Sequence, residues 1–359
     1  MRKRHLSKIL QPFVDSQSLA GAVILVADRN KVNCLEAVGF ADIAARKPMR
    51  TNSLFWIASQ TKPITATALM MLVEEGKVRL DDPIAKYLPE FANQWLAVEQ
   101  DPEHILLNKP KQLPTIRQAL CHTSGMPYKT DIEEPTLDRL PLEYAVRSYA
   151  MTPLLYEPGT KYLYSNAGIN TAGRIIEVVS GLPYAEFLDI HLFRPLGMKD
   201  TTFWPSKKQL ARLAKTYKPN ATGTGLEEYT ISQLAYLPLT SRQRHPVPGG
   251  GLLSTALDIA RFCQMILNGG SLEGTHYLSE ASIKEMTTRQ TSPELQDNYG
   301  LGWATGGGIA AHGGAHATNM AIDMNRGLIT VYMVQHAGFP NDGANSLTAF
   351  REAANTTCA

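Results

Sequence analysis

The chain has 359 residues, 44% of them hydrophobic and 19% charged, with a formal net charge of +2. That length exceeds what one hydrophobic core usually serves, so two lobes are expected, and nothing in the composition marks a disordered chain. Scattered Lys and Arg give no support to a nucleic-acid or anionic-membrane partner, and no run of about 18 apolar residues exists to span a bilayer.

The basic start Met1-Arg2-Lys3-Arg4-His5 is followed by Ser7, Lys8, Gln11 and Asp15 rather than an apolar stretch, so an export signal is absent or was removed before this numbering begins. The compartment stays open: cytoplasmic as numbered, periplasmic or secreted if a signal was cleaved. Cys34, Cys121, Cys263 and Cys358 lie far apart with no C-x-x-C pair, against a zinc site or a dense disulfide framework.

Residues 6–18 carry helical spacing. Ala22–Ala27, a turn at Asp28-Arg29-Asn30 and a second run through Val38 read as a β-hairpin. Leu54-Phe55-Trp56-Ile57 is extended and leads into Ser59; from there to Glu75 the pattern is helical, with Ile64, Ala68, Met71 and Leu72 on one face and Gly76 at the end. Residues 80–245 hold more prolines, few strand signals and helices through Thr115–Cys121 and Gly168–Ser180. Thr255-x-x-Asp258 is a capping-box pattern opening a helix to Leu267. Strands at Met320–Met324 and Leu328–Val334 and a helix near Asn345–Ala354 close the chain. Strands at both ends predict an α+β fold: 1–79 with 246–359 as one lobe sharing an antiparallel sheet, 80–245 as a mostly helical insert, and a cleft between them.

Three short patterns bear chemistry. In Ser59-Gln60-Thr61-Lys62 a helix sets hydroxyl and amine on one face, and a partly desolvated amine loses proton affinity. The alternative is an N-cap serine beside a solvated lysine. In Tyr164-Ser165-Asn166 an extended backbone aims phenol and amide into one space, the phenol acting as a base only where cations depress its pKa. The alternative is Asn166 capping the next helix over a packed Tyr164. In His312-Gly313-Gly314-Ala315-His316 the glycines admit substrate to backbone N–H groups. There the alternatives are a plain turn or a metal pair at i, i+4, which the two glycines disfavour.

In their order these motifs resemble those of the penicillin-recognising serine hydrolases: β-lactamases, D,D-peptidases and family VIII-type carboxylesterases. Leu80-Asp81-Asp82-Pro83-Ile84, His122-Thr123-Ser124-Gly125, Glu157-Pro158-Gly159, Pro195-Leu196-Gly197-Met198 and Pro248–Leu252 are similar to the class C-like branch. The resemblance implies a β-lactamase/transpeptidase-like fold with Ser59 as nucleophile, Lys62 as its partner, Tyr164 as the tyrosine base and Asn166 in support. The backbone N–H groups of Ser59 and Ala315 become the oxyanion hole, and no metal or cofactor is expected. His312-Gly313-Gly314 stands where many relatives have Lys-Thr-Gly; a histidine, partly charged near neutrality, and a glycine without a hydroxyl hold a substrate carboxylate weakly. The expectation is therefore a carboxylesterase on small esters. The alternatives are a β-lactamase, D,D-carboxypeptidase or D-aminopeptidase, or a slowly turning-over penicillin-binding module. The partner is a small ester or amide, and the oligomeric state stays open.

Overall fold

The computed structural model describes residues 5–357; the basic start Met1–Arg4 and Cys358 lie outside the described residues. Its centre is a seven-stranded antiparallel sheet built from the two ends of the chain. The strands are β1 (Gly21–Ala27), β2 (Val32–Asp42), β3 (Lys47–Pro48), β4 (Ala304–Gly306), β5 (Ile309–Gly313), β6 (Asn319–Asp323) and β7 (Leu328–Met333). Their spatial order is β4-β5-β6-β7-β1-β2-β3. The pair that joins the termini is β1 with β7, in register from Val23 opposite Met333 to Ala27 opposite Ile329.

β1 is buried along its whole length. Because side chains alternate across a strand, Val23, Leu25 and Ala27 enter the core on one face while Ala22, Ile24 and Val26 enter a second core on the other. A strand covered on both faces needs an unbroken apolar run, which is what Ala22–Ala27 supplies. The outer face receives α1 (Ser7–Asp15) and the C-terminal helix; the inner face receives α2 (Thr61–Glu74) and α4 (Ala256–Leu267), with α3 (Asn166–Ser180) packed against α2. α5 (Ser346–Thr357) is that C-terminal helix.

Four expectations need correction. Ser59 does not open an α-helix: it sits in a 3-10 turn, Ala58–Gln60, and α2 begins at Thr61. Nor is α2 amphipathic, since every residue from Thr61 to Leu72 is buried; it runs between the sheet and α3 with no wet side. The middle of the chain also holds two hairpins, Leu96–Gln100 with Ile105–Asn108 and Thr216–Pro219 with Leu226–Tyr229. Their strands are short, three of them largely exposed and only Thr216–Pro219 partly buried, so alternation has little apolar side to reveal. The Thr255 cap is half a box: its hydroxyl accepts from Asp258 N, but the Asp258 carboxylate turns to Asp200 N and the Thr201 hydroxyl. Among the described residues no helix is long and apolar enough to cross a membrane.

Candidate active site

Ala58 holds φ +47, a left-handed conformation that costs a residue with a Cβ about 1 kcal/mol or more. The surroundings impose it. The Ala58 methyl is packed among Leu54, Trp56, Ile231, Val247 and Leu253. Trp56 N donates to Gln335 Oε1 at 2.9 Å and its indole N–H to Gly250 O at 2.7 Å. On the far side, Thr61 Oγ1 donates to Ala58 O at 2.6 Å and accepts from Leu252 N at 3.2 Å. This pinned, strained turn presents Ser59 half-buried, its side chain not spent on capping α2.

One turn on, Lys62 is fully buried. Its Nζ lies 3.1 Å from Ser59 Oγ, 2.7 Å from Asn166 Oδ1 and 2.5 Å from Gly249 O. Among the described residues no carboxylate pairs with it, and burial alone drives its pKa well below the usual lysine value. Two of its three neighbours are pure acceptors. A neutral amine satisfies both with its two N–H bonds and leaves its lone pair for the Ser59 hydroxyl. The solvated-lysine alternative is excluded by this burial.

Asn166 is free to serve Lys62 because Ser165, not Asn166, caps α3, its hydroxyl accepting from Gly168 N at 3.2 Å. One turn along α3, Asn170 Oδ1 accepts Gly249 N at 2.9 Å, so the helix holds the 249–251 loop against the amine. A Cβ at position 249 would meet Asn166 Oδ1 at 2.8 Å, which keeps that residue glycine.

Tyr164 arrives on the extended stretch before the cap, with Lys62 Nζ 4.6 Å from its ring centre. The phenol interacts with the Ser59 side chain, yet burial outweighs this and raises its pKa. The condition under which the phenol would act as a base, depression of its pKa by neighbouring cations, is therefore not met: desolvation dominates. Around Tyr164 stand Tyr128, Tyr299, His122 and His312, with ring centres 4.5–6.5 Å from its own.

β5 brings the third motif. His312 Nδ1 lies 2.6 Å from Gly313 O, an acceptor only, so that nitrogen carries the proton and Nε2 accepts from Tyr299 OH at 2.8 Å. Burial pushes its pKa down to about 3, so His312 is uncharged near neutrality, not partly charged as the sequence suggested. His316 turns elsewhere, with Nδ1 near Thr216 Oγ1 and Gln335 Nε2 and its ring edge-on to Trp56. The two histidines therefore share no common point for a metal. Gly313 has room for a side chain, but Gly314 does not: a Cβ there would meet Ile57 O at 2.5 Å and collide with Thr318 Oγ1. This contact seats the loop bearing the exposed Ala315 beside the turn that carries Ser59. Gly314→Ala is accordingly expected to cost about 1–3 kcal/mol in thermal unfolding and to depress hydrolysis more than its loss of stability explains.

Several members were not foreseen: Ala58, Gly249, Asn170, Tyr299 and His122. Gly249 was visible only inside the family-like stretch Pro248–Leu252, and His122 only inside a family-like tetrapeptide. Its Nδ1 accepts Ser165 N at 3.2 Å, fixing the strand that carries Tyr164, while its buried Nε2 finds no partner among the described residues.

The family model described as Beta-lactamase matches residues 6–354. The chain belongs to the Beta-lactamase family. An uncharacterized protein of Mycobacterium tuberculosis is 30% identical over 357 residues, covering 90% of this chain and 87% of that one. Esterase EstB of Burkholderia gladioli is 29% identical, covering 84% of this chain and 78% of that one. Among solved structures, EstCE1, described as a hydrolase with promiscuous acyltransferase activity, superposes with a TM-score of 0.81 at 24% identity, over 98% of this chain and 97% of that one. That likeness establishes the β-lactamase/transpeptidase-like fold in which this family's serine hydrolases are built.

Proposed function

We propose that this Beta-lactamase family member is a carboxylesterase acting on small esters through an acyl-enzyme on Ser59. The observation that carries the reading is Lys62: a buried amine without a counter-ion, its N–H bonds taken by two carbonyls and its remaining valence directed at Ser59 Oγ. Ser59 Oγ attacks the ester carbonyl as Lys62 takes its proton. The carbonyl oxygen, now negative, is received by the N–H groups of Ser59 and Ala315. Tyr164, protonated and facing Ser59, gives its proton to the departing alkoxide and recovers one from Lys62. Water, deprotonated by the same pair in reverse, then hydrolyses the acyl-enzyme and returns the proton to Ser59.

Preference for esters over β-lactams or D-Ala-D-Ala ends follows from His312 and Gly313. Both amide classes carry a carboxylate, and an uncharged imidazole whose Nε2 is taken by the Tyr299 hydroxyl, followed by a glycine with no side chain, anchors that group poorly. One lost charge-assisted hydrogen bond is worth about 1.5–3 kcal/mol, roughly ten- to a hundredfold in rate. EstB, an esterase by name, is in keeping with this choice.

The test compares kcat/KM on p-nitrophenyl butyrate, nitrocefin and a D-Ala-D-Ala peptide. The butyrate ester is expected to lead by roughly ten- to a hundredfold. A faster reaction with nitrocefin or the peptide would reverse the substrate assignment, and stoichiometric acylation without turnover would identify a binding module.

A further inference from the structure

The outer face of the sheet is covered unevenly. α1 and α5 bury the part around β1, β2 and β7, through Ile24, Val26, Tyr332, Phe350 and Ala354. Past α5, toward β4, lies a cavity of about 360 Å³. Ala311 and Ala321, directly opposite each other on β5 and β6, form its shallow floor, and Ile309 and Leu328 extend that floor. Arg351 and Asn355, one turn apart on α5, line it from the helix side.

Arg351 is the unusual member. Its Nη2 donates to Asn319 Oδ1 at 2.8 Å, and its other N–H groups have no acceptor among the described residues. It makes no ion pair there, and burial lowers its pKa, the signature of a guanidinium desolvated without a carboxylate. Outside the cavity, the exposed Arg326 holds the lining residue Asn355 in place, donating to its Oδ1 at 2.6 Å and its backbone oxygen at 3.0 Å. The one carboxylate of the lining is Asp323, whose Oδ1 is occupied by the N–H groups of Asn325 and Arg326. The cavity thus sets one guanidinium with open N–H groups over a small apolar floor, with a single carboxylate, Asp323, beside it.

We propose that this cavity binds a small monocarboxylate with a short apolar tail. The carboxylate accepts from the free edge of Arg351, and the tail lies over Ile309, Ala311, Ala321 and Leu328. A planar guanidinium with open N–H groups matches a carboxylate in a way that a neutral head group does not. The volume falls at the small end of ligand pockets, enough for a chain of about six carbons. The floor strand continues from Ala311 directly into His312-Gly313-Gly314, so an occupant bears on the back of the strand leading to Ala315. A carboxylic acid is also the product class of the hydrolysis proposed above. Only that link rests on the esterase reading; the binding site does not.

Hexanoate titrated calorimetrically into the Ser59→Ala protein is expected to show saturable one-site binding. Arg351→Met should weaken it about tenfold or more, and hexanamide should bind more weakly by a similar factor. Ala321→Leu, which fills the floor from the opposite wall, should abolish it, with thermal unfolding confirming that both variants fold. Absent saturation, unchanged affinity in Arg351→Met, or equal affinity for hexanamide would overturn the site. So would loss of binding when wild-type Ser59 is phosphonylated, since the ligand then sits in the cleft. Because Ser59→Ala performs no hydrolysis, failure here leaves the esterase assignment standing, and failure of that assignment leaves this binding result intact.

Discussion

Ser59→Ala is expected to lower turnover of p-nitrophenyl butyrate by about 10⁴-fold or more, with little change in thermal stability. The size of the loss follows from covalent catalysis: without the hydroxyl no acyl-enzyme forms, and only the N–H groups of Ser59 and Ala315 remain to polarise the carbonyl. Stability is spared because Ser59 caps no helix and is half-exposed, while the strain at Ala58 and the bonds of Trp56 and Thr61 persist in the variant. Intact mass spectrometry after a fluorophosphonate should show one adduct mapping to the peptide with Ser59, absent in the variant. Retention of a tenth of the activity, or an adduct on another serine, would remove Ser59 from the mechanism.

The second large effect concerns Lys62 and proton linkage. In the proposed mechanism the amine takes the Ser59 proton, so Lys62→Met should be inactive toward the ester, about 10³-fold down or more. The pH dependence of stability separates this role from packing. Unfolded, Lys62 titrates near 10.5; folded, burial holds its pKa well below that. Between the two values the unfolded chain binds the extra proton, so stability rises with pH in that window. The gain, measured relative to Lys62→Met so that other groups cancel, should be roughly 1 kcal/mol per pH unit. It levels off above 10.5 and again below the folded pKa, where both states are protonated. The acid limb of kcat/KM should follow the same folded pKa, activity being lost as Lys62 gains its proton. A flat difference between wild type and variant across pH 7–10 would mean that the folded amine is charged, and the base would then have to be another group.

Much of this was readable in the letters. The apolar run Ala22–Ala27 and the strands near the C-terminus announced a sheet shared by the termini, because a strand buried on two faces can be made only of such residues. Gly181, at φ +74, ended its helix as glycine in that position should. The short hairpins of the middle stretch were not readable, having too few apolar positions to repeat, and α2 misled because burial on every side erases amphipathic spacing.

The site divides in the same way. Local covalent geometry suffices to bring Ser59 and Lys62 together, three residues apart, and to carry Tyr164 and Asn166 on one short stretch, so sequence alone determined which functional groups are available and in what order. What state those groups occupy was decided by the fold. The environment that strips Lys62 of water is assembled from Asn166 and Gly249, distant along the chain, and the one that silences His312 from Tyr299 and the surrounding core. Proton affinity depends on solvent and neighbouring dipoles within a few ångströms, and only tertiary packing sets those.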